Sequence, residues 1–409
     1  MNLLSICDFA ACTARVLHYL LLLGVLLVSM VFTAPACADT HAAEFRPGPH
    51  TPKDFKPGPG VDASGMDLRE SQFIGIVLRN ARFDECDLRG ARFVQVIFSP
   101  NEGTSFRGAN LTGATFAEIA SFQGCDFTRA RINDIAYVAT EGYLSMEQIR
   151  SSRSYAEGDL SGCWIVAGAP RRDSTGHPNY DYRYYDVEDV HMQFTNFNLR
   201  GAHFVAADLT GCDFTGADIR GVRFAACVLR EAQLNRGVFP GVVFSSMNLQ
   251  GWNFANADLR GAGFGGVTLD GADFSGADIR CARFNGSMSR KQLCSTRSFQ
   301  EHVLTGIHFT SMPFAGLDLR RQDLTRARFY QCDLTDADFT DAVISGGVFR
   351  GNKNLTLDQI KSTWNYKHGR MEGIRLPEEL AKALEQEAQE NEEELVAGES
   401  GGEKTERNK

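Results

Sequence analysis

Between residues 194 and 284 a large apolar residue returns at every fifth position. All 19 of these positions, from Phe194 to Phe284, are Phe, Leu or Ile. The residues two places before them are Ala, Cys, Gly, Val, Met, Phe or Trp, and none is charged. A helix has a period of 3.6 and a strand a period of two, so neither element alone produces five. The pattern predicts that two side chains of every five point inward and three point outward.

A short extended piece places the inward pair on one face, because alternate residues of a strand share a side. The chain must then turn before the next five residues, and Gly, Asn, Asp and Ser suit such corners. Four sides return the chain above its start after about twenty residues, and successive coils then stack at about 4.8 Å. Phe recurs every ten residues in the long block, which predicts two opposite walls of Phe with stacked rings along the axis.

These residues resemble the pentapeptide-repeat family, whose motif is A(D/N)Lxx. The matching triplets include Ala207-Asp208-Leu209, Ala217-Asp218-Ile219, Ala257-Asp258-Leu259 and Ala277-Asp278-Ile279. The resemblance implies an all-β fold, a right-handed quadrilateral β-solenoid, over about residues 63–376. About 45 units would make about 11 coils and a rod of about 50 Å. The solenoid segments are expected at 63–144, 194–287 and 304–354.

Three similar segments interrupt the period, at 145–165, 288–303 and 355–376. Each has the S/T-x-x-Q signature of a helix capping box: Ser145/Gln148, Ser289/Gln292 and Thr356/Gln359. We interpret them as one short helical insert used three times, which ends or divides the repeat stacks as capping units do. Their aromatic residues Tyr155, Phe299 and Tyr366 are expected to dock on the tube.

Residues 1–38 have the pattern of a targeting segment. Arg15 precedes the apolar run Val16–Phe32, and Ala36-Cys37-Ala38 fits signal-peptide cleavage before Asp39. Without cleavage, the same run could just span a bilayer as a membrane anchor, the only membrane contact the sequence suggests. Residues 39–62 hold five prolines and two similar pentapeptides, Phe45–Pro49 and Phe55–Pro59. They are interpreted as an extended, unpacked linker.

Two further segments lack the period of five. The irregular insertion 166–193 holds four Tyr with His177 and His191, and it is a candidate for a specific contact because function concentrates on such loops. Residues 377–409 are predicted to form an acidic helix followed by a disordered tail from about Gly398. The family resemblance suggests that this terminal helix caps the tube or forms a homodimer.

Charge and cysteine content narrow the classes of function. The formal net charge is −9, and most of it lies after Met371, so the repeat body is nearly neutral and no nucleic-acid partner is expected. Arg200, Arg220, Arg260 and Arg280 recur on one wall, and Asp218, Asp258 and Asp278 precede the last three of them by two positions, which indicates a mixed-charge solvated face. Six cysteines take the small inward position: Cys86, Cys125, Cys163, Cys212, Cys227 and Cys332. Only Cys281 and Cys294 are expected outside the core, where they could pair.

No catalytic, cofactor-binding or metal-binding residues are predicted, because the sequence lacks nucleophile, phosphate-loop and zinc motifs. The sequence favours an exported, non-catalytic rod that acts as a scaffold or binds an unidentified protein. A membrane-tethered spacer is the alternative. Some members of the resembling family mimic DNA and bind DNA gyrase, but the near-neutral body and the export segment depart from that picture.

Overall fold

The computed structural model describes residues 43–99, 101–138, 140, 142–167, 188–190, 192–229, 238–286 and 288–402. Side chains are described for all of these except 188–189 and 391–402. The expected signal peptide or membrane anchor (1–38) lies outside the described residues. So does most of the insertion 166–193, including His177 and His191.

Very short strands form one wall of a β-solenoid of about 12 turns. The described strands are β1 (Glu44–Arg46), β2 (Gln72–Ile74), β3 (Arg92–Val94), β4 (Thr115–Ala117), β5 (Ala136–Val138), β6 (Trp164–Val166), β7 (Glu188–Asp189), β8 (His203–Val205), β9 (Ala207–Asp208), β10 (Arg223–Ala225), β11 (Val243–Ser245), β12 (Gly263–Gly265), β13 (Arg283–Asn285), β14 (His308–Thr310), β15 (Arg328–Tyr330) and β16 (Val348–Arg350). Strands β1 to β5 form one sheet, β6, β8 and β10 to β16 form a second, and β7 pairs with β9. Apart from β1, all pairs are parallel, which confirms the predicted all-β solenoid.

The inward positions build one apolar core from Ala63 to Phe349. Phe224, Phe244 and Phe264 sit at the centres of neighbouring strands in exact register. Phe264 and Phe284 stack with ring centroids 4.8 Å apart and planes 3° apart. The opposite Phe wall meets them edge-on, as Phe204 and Phe214 do at 6.0 Å and 74°. The predicted ring stacks are therefore confirmed, and T-shaped contacts across the axis join the two walls.

The corner after each strand has a left-handed backbone. Gly266 and Gly286 take this conformation at φ 60° and 68°, but Ala206, Ala226 and Ser246 take it as well, at 51°, 53° and 51°. A side chain in this region costs roughly 1–2 kcal/mol per residue. The hydrogen bonds of the stacked coils hold these corners; Ala226, for example, donates its N–H to the Ser245 carbonyl at 3.0 Å.

Each helical insert contains two short helices instead of one. They are α1 (Met146–Ser151) and α2 (Arg153–Ala156), α3 (Arg290–Ser295) and α4 (Arg297–Gln300), and α5 (Leu357–Lys361) and α6 (Trp364–Lys367). All three predicted capping boxes are present. Tyr155 meets Phe197 at 5.3 Å and Phe299 packs against the core, as expected for docked aromatics, while Tyr366 is half-buried.

The second insert does not divide the stack, so that part of the interpretation is wrong there; at the first insert the strand sheet is interrupted, because one sheet ends at β5 and another begins at β6. The core is continuous through both, and β13 pairs with β14 across the second. The hydrogen bonds between coils continue across the insert because a side-chain oxygen accepts where a backbone carbonyl would. The Ile279 N–H donates to Ser298 Oγ at 2.9 Å. Ser154 accepts from Ile132 and Asn365 from Ile344 in the other two inserts.

The Pro/Gly-rich segment is packed from Ala43 onward, so its interpretation as an unpacked linker is wrong for that part. Strand β1 pairs antiparallel with β2 and places Phe45 on Phe73, with ring centroids 5.1 Å apart. Phe55 meets Phe45 edge-on at 5.4 Å. Within the described residues no coil lies beneath the first one, and these two rings cover the apolar end of its core.

The C-terminal end of the tube is covered by the third insert and the segment that follows it, where Ile374 and Leu376 pack against the core; helix α7 (Glu378–Gly402) comes next. The Phe349 N–H donates to the Arg375 carbonyl at 2.8 Å, and the Arg375 N–H donates to Gly347, which continues the ladder beyond β16. Lys361 of α5 forms an ion pair with Glu387 of α7. The helix extends to Gly402, beyond the predicted onset of disorder at Gly398; residues 403–409 lie outside the described residues.

Candidate functional site

One outer wall of the tube carries Asp and Arg two residues apart on the side just before five of the strands, β2, β3, β10, β12 and β13. Asp258 accepts from Arg260 Nε at 2.8 Å through Oδ1 and from Nη2 at 2.6 Å through Oδ2. Its Oδ1 also accepts the backbone N–H of Arg260 at 3.2 Å, which closes an Asx turn. The same pair recurs at Asp67/Arg69, Asp87/Arg89, Asp218/Arg220 and Asp278/Arg280.

Neighbouring pairs on this Asp–Arg wall also lie close along the axis. Arg260 Nε is 4.0 Å from Asp278 Oδ2, and Arg69 Nε is 3.5 Å from Asp87 Oδ2. The predicted mixed-charge wall is therefore a ladder of ion pairs. Because its guanidinium groups already hold carboxylates, this wall offers little unpaired charge to an outside partner.

Asp278 differs from the other wall carboxylates because its side chain is only 6% exposed. Burial alone would raise its pKa, but hydrogen bonds from Arg280 and Ser298 outweigh burial and lower the pKa to about 2. Ser298 Oγ donates at 3.1 Å from helix α4, and Arg297 Nη2 lies at 3.5 Å. The second helical insert is thus fixed to the wall through one buried charge.

The cysteines lie where the period of five places them. All six predicted inward cysteines are buried, and burial raises the pKa of Cys86 and Cys125 to about 12. Cys281 is exposed and Cys294 half-buried, and both are free thiols, so the suggested pairing is not formed. Raised pKa values make the core thiols poor nucleophiles.

An outward-facing apolar patch on the strand wall was missed by sequence reasoning. Val205, Ala206 and Ala225 are no more than 7% exposed although they point away from the core, and Trp164 and Val166 pack against them. Trp164 stacks on His203 at 4.3 Å, and burial lowers the pKa of His203 to about 4. The signal was apolar residues at outward positions of successive repeats. The irregular insertion begins beside this patch, after Val166.

Two properties of the described residues concern metal ions and membranes. No group of three or more His, Cys, Asp or Glu in this part of the chain is arranged to hold a metal ion. Among the same residues, no helix combines the length and apolar character needed to cross a bilayer.

Comparison with known proteins agrees with the coil geometry. A family model described as pentapeptide repeats matches residues 60–99, 193–225, 227–264, 260–287 and 304–351. A second pentapeptide-repeat model matches residues 102–137. No curated protein matches the chain.

Two solved structures are similar to this chain over about two thirds of its length. HetL, a pentapeptide repeat protein involved in heterocyst differentiation regulation from the cyanobacterium Nostoc sp. strain PCC 7120, is 18% identical over 70% of this chain and 90% of its own, with a TM-score of 0.14. Full-length QnrB1, a plasmid-mediated fluoroquinolone resistance protein, is 17% identical over 66% of this chain and 90% of its own, with a TM-score of 0.16. Identities and TM-scores this low say nothing about shared function. The repeat models span more than half of the sequence, and the chain therefore belongs to the pentapeptide-repeat family.

Proposed function

We propose that this protein is an exported, non-catalytic rod that acts as a scaffold or binds another protein through its side walls or loops. The observation that carries the proposal is the continuous core from Ala63 to Phe349, which makes one rigid body out of all the repeats. Most outward carboxylates of the Asp–Arg wall are held in ion pairs, as suits a structural surface. Export is inferred from the apolar run Val16–Phe32 and the cleavage pattern before Asp39.

The second candidate is a membrane-tethered spacer, favoured by the 17-residue length of Val16–Phe32. If this run is not cleaved, it is the only membrane contact in our proposal, and it anchors the rod to the bilayer. The two candidates share the same rod and differ only in the fate of the N-terminal segment.

The proposed partners are an unidentified protein and a second copy of this chain bound through the C-terminal helix. Helix α7 contacts the body through Lys361 and Glu387, while Glu379, Glu385 and Glu390 remain exposed. An exposed helix at the end of a rod is well placed to contact another molecule. This homodimer is part of the proposal.

Localisation is tested by expressing the full chain with a C-terminal tag in a bacterium, fractionating the cells and determining the mature N-terminus by mass spectrometry. A start at Asp39 in the soluble exported fraction supports the exported scaffold. An intact N-terminus in the membrane fraction supports the tethered spacer. An intact chain in the cytoplasm would overturn both, and robust turnover of a substrate by the purified rod would overturn its non-catalytic character.

A further inference from the structure

A row of cationic side chains lies on the outer face of the strand wall near the C-terminal end. Arg283, His308 and Arg328 are partners in successive parallel pairs, and Val348 follows Arg328 in the same register. Arg375 forms a parallel bridge with Val348 and extends the row by one more coil. These five positions, which we call the cationic row, therefore point outward one above the other.

The arginines of the cationic row differ from those of the Asp–Arg wall because no carboxylate among the described residues pairs with them. Within the described residues, Arg283, Arg328 and Arg375 are exposed and form no ion pair. Arg350, on the last strand beside the row, is likewise exposed and unpaired among them. Burial, together with Arg328 and Arg283, lowers the pKa of His308 to about 4, so this residue is neutral at pH 7.

The spacing of the row indicates what kind of segment fits it. Arg283, Arg328 and Arg375 alternate with His308 and Val348, so neighbouring arginine positions lie two coils, or about 10 Å, apart along the wall. Seven residues of an α-helix rise about 10.5 Å. A helix lying along the row would therefore meet the arginines with carboxylates placed seven residues apart.

Helix α7 of this chain has that pattern. Its sequence places Glu378, Glu385 and Glu392 seven residues apart within Glu378–Gly402. Glu385 is exposed, and Glu378, which pairs with Lys382 one turn along the same helix, is 81% exposed. The row ends at Arg375 and α7 begins three residues later, so both surfaces lie at the same end of the rod. That placement allows two copies to exchange helices around a two-fold axis, which closes the assembly.

We propose that the cationic row is the docking surface for helix α7 of a second copy of this chain. The inference rests on the homodimer proposed above and adds the surface on which the helix lies. Bidentate Arg–carboxylate pairs fix the register of the helix on the wall. Because these contacts are solvent-exposed, the association is sensitive to salt.

Sedimentation velocity of the purified full chain tests the proposal. The unmodified protein is expected to form a dimer at low ionic strength and to dissociate as salt is raised. The wall variant Arg283→Glu/Arg328→Glu and the helix variant Glu378→Lys/Glu385→Lys are each expected to weaken dimerisation by at least about tenfold, since each loses or reverses several exposed pairs. Mixing the two variants restores complementary charges at both contacts and should restore the dimer.

The matched control is Arg92→Glu, which reverses an exposed arginine on the same wall in the N-terminal sheet and should leave dimerisation unchanged. If both variants dimerise as strongly as the unmodified protein, the proposed docking surface is wrong, although the homodimer itself is retained. If the unmodified protein is monomeric at every concentration, the homodimer is wrong as well. The cationic row would then be expected to bind an acidic partner other than this chain.

Discussion

At the scale of single residues, the environment decides what each repeat position does. Asp258, Asp278 and Asp318 all pair with an arginine two residues later, yet the side chain of Asp278 is 6% exposed and that of Asp318 is 52% exposed. The sequence predicted the pairs at Asp258 and Asp278 from their spacing. It could not distinguish the buried one, because the cover over Asp278 comes from helix α4, twenty residues further along.

Asp278→Asn is expected to lower the free energy of unfolding by about 2 kcal/mol at neutral pH, since a carboxylate with a pKa lowered to about 2 favours the folded state. The lowered pKa means that this contribution is complete above the ordinary Asp range near 4 and disappears as the pH falls towards 2. Urea unfolding of both proteins between pH 2 and 7 measures the difference. A hydrogen bond with Arg320 lowers the pKa of Asp318 to about 2 as well, but this side chain is 52% exposed and solvent screens its pair, so the control Asp318→Asn should cost less than about 1 kcal/mol at any pH; equal losses at the two sites would contradict the account.

At the scale of elements, three helical inserts show how a helix is fitted into a stack of coils. In each, the capping-box glutamine also donates its side-chain amide to two carbonyls of the coil below, as Gln292 does to Leu269 at 2.6 Å and Ala272 at 2.9 Å. Gln148 and Gln359 make the corresponding bonds. The threefold S/T-x-x-Q signature predicted the helix starts. The second role of the glutamine depends on the coil beneath and was not visible in the local sequence.

Gln292→Ala is expected to destabilise the protein by about 2 kcal/mol, because it leaves two carbonyls without their donor and breaks the capping box. Thermal unfolding followed by circular dichroism measures the loss. Lys291→Ala, at an exposed position in the same turn, serves as the control and should change little. If both variants melt alike, the glutamine does not anchor the insert.

The N-terminal cap offers a second test at this scale, through the two copies of its pentapeptide. A Cβ at Gly48 would lie 1.8 Å from the Arg69 carbonyl oxygen, whereas nothing lies within 4 Å of one at Gly58. Gly48→Ala should therefore displace the cap and speed hydrogen exchange in β2, and Gly58→Ala should not. Slow exchange in both variants would show that β1 is not needed to protect the first coil.

At the scale of the whole molecule, the period of five predicted the solenoid, the Phe walls and about the right number of coils, because the same inward pair recurs throughout the core. The ends were harder to predict. The prolines of residues 39–62 suggested an unpacked chain, although the ten-residue spacing of Phe45 and Phe55 repeats that of the Phe walls and was the available signal. Whether a segment acts as a cap depends on the apolar end of the tube that it covers. The amino-acid composition of the segment carries no information about that end.

The central claim is that twenty residues close one coil and that the coils form a single stack. Deleting residues 244–263 removes one complete coil and brings Phe264 onto Phe224, in the register that Phe244 occupies. Deleting residues 244–258 removes three sides instead, so that Leu259 falls on Phe224 and every later residue moves to a different wall.

The most direct measurement is thermal unfolding of both deletion variants, with hydrogen exchange of the strand-wall amides. The account predicts one cooperative transition with protected strands for the twenty-residue deletion, and loss of cooperativity for the fifteen-residue deletion. The account is contradicted if both deletion variants unfold with the same cooperativity. It is also contradicted if only the fifteen-residue deletion keeps a cooperative transition.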